Sequence, residues 1–286
     1  MPAKIDLTCL GLDILNADEL RELDKRIQQS KEKGCEYFAL GIFSDELYEK
    51  MSHAKPLKPV EERMKIASSL RGIDFVFEVK ELNNRDHMIK QLKEQYIKRK
   101  EEETTKKNNS SKPVKKYKVA YAPGTWDLFH AGHLENLSLA AKQTEKLIVG
   151  VKSDELVMQH KKHYPEINEE DRMEILRHFK FVDDTYLYYT RNLHTARDWI
   201  ESKFGSFDAV FLGSDLKQDF KDVNDINIVF TDRDEKQMAT RSSSGYRKKL
   251  KNRPRTIEGS LIRLTRIKSN ETISIDELEA KEDAER

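Results

Sequence analysis

The sequence predicts an α/β protein built on a Rossmann-like, doubly wound parallel sheet, in which a complete unit follows a degenerate, truncated copy of itself. Three observations carry this. Short apolar runs alternate with stretches of helical period along residues 117–255, the pattern of strand–helix–strand crossovers. The first third of the chain repeats pieces of that region in the same order. A glycine-bearing turn with two histidines, GTWDLFHAGHLENL (Gly124–Leu137), follows the first strand of the fuller copy, where parallel sheets bind ligands.

The 286 residues suffice for one large domain or two modest ones. Hydrophobic residues make up 37% and charged residues 36%, which describes a highly charged globular protein. The 52 Lys+Arg nearly cancel the 51 Asp+Glu, so no global field attracts nucleic acid. No apolar run approaches the roughly 18 residues of a membrane span, and MPAKIDLTCLGLD lacks the layout of a signal peptide. Cys9 and Cys35 are too few for a disulfide framework. A cytoplasmic location is the expectation.

Residues 1–85 read as the degenerate half-domain. GIFSDEL (Gly41–Leu47) matches GVKSDEL (Gly150–Leu156), and PLKPVEERMKIASSLRGIDFV (Pro56–Val76) matches PEINEEDRMEILRHFKFVDDT (Pro165–Thr185), at one constant offset of 109. Upstream, DILNADEL (Asp13–Leu20) pairs with DLFHAGHL (Asp127–Leu134) after a small insertion. Three matches in one order indicate a tandem duplication. The first copy has counterparts for three strands but none for DAVFLGSD or TRSSSGYR. Asn16, Asp18 and Glu19 stand at the places of His130, Gly132 and His133, and carboxylates there would repel an anionic ligand. This copy is expected to be inactive, kept to pack against the active one or to replace a dimer partner.

Residues 86–116 begin as a polar helix and decay into Thr, Lys, Asn and Ser up to Pro113, which is linker chemistry. Residues 117–255 form the fuller copy, expected to be the catalytic domain. YKVAYAP leads into the turn, and LENLSLAAKQT continues with helical spacing. KLIVGV is a strand buried on both faces, and EEDRMEILRHF offers Met173, Ile175, Leu176 and Phe179 for one apolar stripe. FVDDTYLY, the helix HTARDWIESKF, DAVFLG and NIVFT complete the alternation. Residues 256–286 are a charged tail, expected as a solvated helix or a fraying end.

The turn itself suggests phosphate chemistry. Gly124 permits a sharp bend and a close approach of ligand to backbone. The helix that follows begins with unpaired N–H groups and a positive dipole end. His130 and His133 are three apart on that first turn and point the same way, with Gly132 leaving room between them. Such a pair can donate hydrogen bonds to charge building on phosphorus. Zinc, the competing use, requires a third ligand and prefers other spacings, so no metal ligands are assigned. Asp127 is expected to fix the turn rather than to perform acid–base chemistry.

G-T-W-D-L-F-H-A-G-H resembles the signature of the HxGH nucleotidyltransferases, most closely the cytidylyltransferases acting on phosphocholine, phosphoethanolamine and glycerol 3-phosphate, over roughly Tyr117–Leu250. The resemblance implies nucleotide contacts at Gly124, Thr125, Trp126, Asp127 and Gly132, and at Gly213 and Asp215 of FLGSD (Phe211–Asp215). RSSSGYR (Arg241–Arg247) is similar to the turn that opens a late helix on the triphosphate, through Ser242, Ser243, Ser244 and Arg247. QHKKHYP puts Lys161 where the family keeps a catalytic lysine on a mobile loop, with Lys162 beside it, and Arg172 falls on a family arginine. Lys162 and Arg172 are accordingly expected to bind substrate.

The implied reaction moves CMP from CTP to a small phosphorylated alcohol, with Mg²⁺ accompanying the triphosphate and with a homodimer or an intramolecular pseudo-dimer as the assembly. The sequence departs from the family pattern at Trp126, where phenylalanine is usual, and at Lys180. QMATRSSS also sets Gln237 where the family shows arginine, with Arg241 as a candidate substitute. S-S-x-x-x-R is similar also to adenylyltransferases of the superfamily, so ATP stands as the alternative donor. A non-catalytic nucleotide-binding scaffold is the second alternative.

Overall fold

The structure, a computed structural model, describes residues 4–108, 114–231, 242–252 and 271–274. Gln237 and Arg241 lie outside them, as does most of the tail. The chain divides into two units, one of Met1–Asp13, Asp18–Pro113 and Asn252–Arg286, the other of Ile14–Ala17 and Val114–Lys251.

The first unit is built on β1 (Lys4–Leu10), β2 (Tyr37–Phe43) and β3 (Phe75–Val79), parallel to one another, with α1 (Ala17–Glu32), α2 (Asp45–Ser52) and α3 (Val60–Ala67) in the connections. Ile5, Leu7, Ala39, Phe75 and Phe77 form its buried interior. α4 (Arg85–Asn108) departs from the expected linker. Met88, Ile89 and Leu92 lie in the same core, so the helix belongs to this unit rather than beginning a spacer after residue 85. Its glutamines also satisfy the open edge of β3. Gln95 Nε2 donates to the Val76 carbonyl at 2.7 Å and Gln91 Nε2 to that of Glu78 at 2.9 Å, which blocks further strand pairing there. The tail differs as well. Glu271–Ser274 is not helical but a strand, β9, antiparallel to β1, giving the order β3-β2-β1-β9.

The second unit holds β4 (Tyr117–Gly124), α5 (Ala131–Gln143), β5 (Thr144–Lys152), α6 (Asp154–Lys161), α7 (Glu169–Arg177), β6 (Asp184–Tyr188), α8 (Leu193–Phe204), β7 (Ala209–Gly213), β8 (Ile228–Thr231) and α9 (Ser243–Lys251). Among the described residues its five strands run parallel in the order β6-β5-β4-β7-β8. The order reverses at β4, so the turn after that strand opens at the switch point of a doubly wound sheet. The fold is therefore the expected α/β architecture. β5 explains its apolar run: Leu147 to Val151 are all buried.

Both units carry the same internal braces. In the second, the buried Arg172 donates through Nε to the Ile167 carbonyl at 2.9 Å, through Nη1 to Thr125 at 2.5 Å and through Nη2 to Lys152 at 2.8 Å, and it pairs with Asp154. In the first, Arg63 donates to the carbonyls of Lys58 at 3.0 Å, Gly11 at 2.8 Å and Phe43 at 2.8 Å, and pairs with Asp45 at 2.5 Å. Each arginine joins the turn after a unit's first strand to the end of its second strand. Asp127 Oδ1 accepts the N–H groups of Glu166 and Ile167 at 3.1 Å each, as Asp13 accepts those of Leu57 and Lys58 at 2.9 Å. Arg172 therefore does not present a guanidinium to substrate, as the sequence had suggested. It is spent on three carbonyls and Asp154, and the first unit, which lacks the histidine pair of HAGH, keeps an equivalent arginine.

A planar fork with this many directed bonds cannot be replaced by an ammonium. Arg172→Met and Arg63→Met are each expected to destabilise their unit by about 3–5 kcal/mol, because carbonyls and a carboxylate lose their buried partner. Arg172→Lys should rescue little of this. Urea unfolding of each variant checks it, and an unshifted midpoint would remove the brace from the account.

Candidate active site

The turn after β4 is held in a tight conformation by its own side chains. Trp126 adopts φ 58° and folds back over Gly124, with its indole N–H donating to the Gly150 carbonyl at 2.8 Å. A Cβ on Gly124 would sit 2.4 Å from the Trp126 ring, so glycine is required here by the indole as well as by any ligand. The aromatic that replaces the usual phenylalanine thus locks the turn to β5.

His130 caps α5. Its Nδ1 accepts the Gly132 N–H at 3.1 Å, so the neutral ring carries its proton on Nε2, a donor suited to an anionic oxygen. His133 stacks on it with ring centroids 3.8 Å apart and planes 25° from parallel. Trp126 meets His133 edge-on at 5.2 Å and Phe129 lies 5.5 Å away, which fixes the second imidazole. Gly132 is the small neighbour that the pair needs: a Cβ there would come within 3.1 Å of the His130 ring.

The start of α9 comes to the same place. Ser242 Oγ accepts the Gly245 N–H at 3.2 Å, capping the helix, and Ser243 Oγ donates to the Asp127 carbonyl at 2.9 Å. Tyr246 is buried with its ring 5.9 Å from His130. Arg247 Nη2 binds Asp127 Oδ2 at 2.6 Å, its Nε lies 3.1 Å from Glu166, and its Nη1 lies 3.2 Å from His163 Nε2. Two helix N-termini, those of α5 and α9, therefore converge on one turn. Arg247, expected on phosphate, is engaged here by two carboxylates, while Ser244 is exposed.

The two adjacent lysines separate. Lys161 Nζ reaches Thr125 Oγ1 at 3.4 Å, next to the histidine turn. Burial, and then the Arg247 guanidinium, lower its pKa. Lys162 closes α6 in the left-handed conformation, φ 58°, and its ammonium donates to the Gln159 carbonyl at 2.8 Å. The structure thus brings Lys161 to the turn and leaves Lys162 on its own helix. Gly213 ends β7 and Asp215 lies exposed in the short 3₁₀ turn Ser214–Leu216, its carboxylate opposing the shift of Lys161.

With this arrangement established, comparison with known proteins is informative. The family model described as cytidylyltransferase-like matches residues 121–272. The chain belongs to the cytidylyltransferase-like family. The resemblance drawn from GTWDLFHAGH is therefore correct, within the HxGH nucleotidyltransferase superfamily.

Among curated relatives of this cytidylyltransferase-like chain is a probable ethanolamine-phosphate cytidylyltransferase from Encephalitozoon cuniculi, 33% identical over 33% of the chain and 30% of that protein. Another is an FAD synthase from Thermococcus onnurineus, 42% identical over 26% of the chain and 48% of that protein. The chain spans less than half the length of either relative. A solved structure, a lipopolysaccharide core biosynthesis protein from Thermoplasma volcanium, aligns at 19% identity over 41% of this chain and 97% of that one. Its TM-score is 0.33, so the fold rests on the strands described above.

Sequence reasoning missed Tyr246, Glu166 and His163, which touch His130 or Arg247. Tyr246 lay inside RSSSGYR, but nothing in the pattern says that its ring faces a histidine from another helix. Among the described residues no helix is long and apolar enough to cross a membrane.

The packing at the turn gives a direct expectation. Gly124→Ala should push Trp126 off β5, red-shifting tryptophan emission and lowering stability by about 2–4 kcal/mol. Emission spectra with Trp199→Phe as background isolate Trp126, and an unchanged spectrum would contradict the locked turn.

Proposed function

We propose that the protein transfers a nucleotidyl group, CMP from CTP, to a small phosphorylated alcohol of the glycerol 3-phosphate, phosphoethanolamine or phosphocholine class, giving a CDP-alcohol and pyrophosphate. The observation that carries the reading is the convergence of two helix N-termini and a stacked histidine pair on one turn, within a chain of the cytidylyltransferase-like family. An oxygen of the acceptor phosphate attacks the α-phosphorus in line. The bond to the bridging oxygen breaks, and pyrophosphate leaves with that electron pair. No enzyme-bound intermediate forms, so catalysis is positioning and charge stabilisation.

His130 and His133 take the α-phosphate oxygens, with Nε2–H of His130 as donor. Lys161 offsets negative charge between the phosphates. Gly124, Thr125, Trp126, Asp127 and Gly132 form the turn against which the nucleotide lies, and Gly213 and Asp215 border the base and ribose. Ser242, Ser243 and Ser244 cap the helix that meets the terminal phosphates. Arg247 joins them by exchanging its carboxylate partners for phosphate oxygens. Among the described residues no cluster of three or more His, Cys, Asp or Glu could hold a metal ion. In this reading Mg²⁺ accompanies the triphosphate, and no step is assigned to it. A homodimer or a pseudo-dimer of the two copies, in a cytoplasmic setting, completes the reading.

A second reading has one observation in its favour. The Thermococcus onnurineus relative is named for FAD, an adenine dinucleotide, which favours ATP as donor. Pyrophosphate release measured with each of the four nucleoside triphosphates and a panel of phosphorylated alcohols separates the two. CTP preference is expected, and ATP preference would overturn it. His130→Ala should lower turnover by about 10³-fold or more, well beyond the roughly 1 kcal/mol of stability lost with its helix cap, and Lys161→Ala should lower it by about 10²-fold. Binding of triphosphate without turnover in the wild-type chain would instead support a non-catalytic scaffold.

A further inference from the structure

Beside the histidine turn lies a group of cations at the carboxyl ends of β5 and β6. Lys152 ends β5, partly buried and in register with the buried Tyr188 at the end of β6. Arg191 follows β6, with Nη1 3.5 Å from His160 Nδ1 on α6 and Nη2 2.8 Å from Asp219 Oδ2. Lys161, one residue beyond His160, completes the group and reaches back to Thr125.

Lys152 is the telling member. Burial first, and then the positive charges of Lys161, Arg191 and Arg172, lower its pKa to about 8. The three charged groups named as shifting it are all cations. His160 is likewise lowered, by lost hydration, then by Arg191, Lys152 and Lys162. Arg172 is already braced by Asp154, and Asp219 offsets Arg191 alone within the contacts described. Like charges held together at the ligand end of a parallel sheet are unfavourable until an anion joins them.

We propose that Lys152 and Arg191, beside Lys161, seat the phosphate of the acceptor, and that this acceptor is the phosphomonoester of an uncharged or anionic alcohol rather than of an amino alcohol. The proposal rests on the nucleotidyl-transfer reading above and narrows its acceptor. A phosphomonoester carries close to two negative charges at neutral pH, which one ammonium and one guanidinium balance. The guanidinium adds a planar fork for two phosphate oxygens. A trimethylammonium or ammonium tail would need aromatic faces or spare carboxylates. Here it would meet His160, Arg191 and Lys152, with Asp219 already paired and Asp215 acting on Lys161 rather than on Lys152.

Calorimetric titration of glycerol 3-phosphate and of phosphoethanolamine into the whole chain tests this, with and without a non-hydrolysable α,β-methylene analogue of CTP or of ATP. Glycerol 3-phosphate should bind at least about tenfold more tightly than phosphoethanolamine. Lys152→Met and Arg191→Met should each weaken it by about tenfold or more, while the analogue binds within about twofold of wild type. Arg191→Lys should recover part of the loss, which a merely misfolded Arg191→Met would not explain. Tighter phosphoethanolamine binding, unchanged acceptor binding in the variants, no binding of either acceptor, or equal loss of the analogue would each overturn the proposal. Failure of the broader reading looks different: the wild-type chain would bind no triphosphate analogue and release no pyrophosphate.

Discussion

A buried guanidinium holds the second unit's histidine turn in place. Arg172 spans the Thr125 carbonyl in the turn, the Lys152 carbonyl at the end of β5 and the Ile167 carbonyl before α7, and it also pairs with Asp154. These groups lie on three separate connections, all at the carboxyl edge of the sheet. Backbone carbonyls buried there would otherwise lack donors, because a loop has no ladder to satisfy them. One rigid cation meets the need and in doing so sets the spacing between the turn and α6. The positions of His130 and Lys161 both follow from that spacing.

The first unit carries the same brace without the histidine pair. Arg63, Asp45 and Asp13 repeat the bonds of Arg172, Asp154 and Asp127, and Ser44 and Ser153 cap the corresponding helices with their side chains. The residue two past each first strand also turns left-handed, Leu12 at φ 50° and Trp126 at φ 58°. The frame is common to both units. What differs lies around the second oxygen of the aspartate. Asp127 Oδ2 takes Arg247, whereas Asp13 Oδ2 takes the Leu57 N–H at 2.9 Å and the Tyr48 hydroxyl at 3.4 Å. In the first unit Asp18 pairs with Arg21 at 2.5 Å instead of leaving open a glycine-lined space.

Charge at the candidate site is balanced between the protein's own groups. Arg247 is held by Asp127 and Glu166, which fastens α9 to the turn. Ser243 adds a second link to the same segment. These contacts orient a helix N-terminus toward the imidazoles and still leave a guanidinium able to change partners. Lys152 stands in the opposite condition, with charge opposed by burial and by neighbouring cations, whereas at Lys161 Asp127 and Asp215 offset part of that opposition. An incoming phosphate relieves that opposition, so this edge of the sheet favours anions before any specific contact forms.

The sequence determined the α/β class, the strand order of motifs and the histidine turn, because each depends on local chemistry. Apolar period marks β5, glycine marks the turn, and His130 with His133 lie one helical step apart. Met88, Ile89 and Leu92 were misjudged because α4 is polar over most of its length, and only the sheet it covers reveals its apolar contacts. The strand β9 was hidden for a similar reason: a short charged segment becomes a strand when another strand's edge is available to pair it. Only the tertiary structure could assign Arg172 to the backbone, separate Lys161 from Lys162 and bring Tyr246 to His130. Most of those outcomes rest on hydrogen bonds or ring contacts between residues tens of positions apart, whose directions no local pattern encodes.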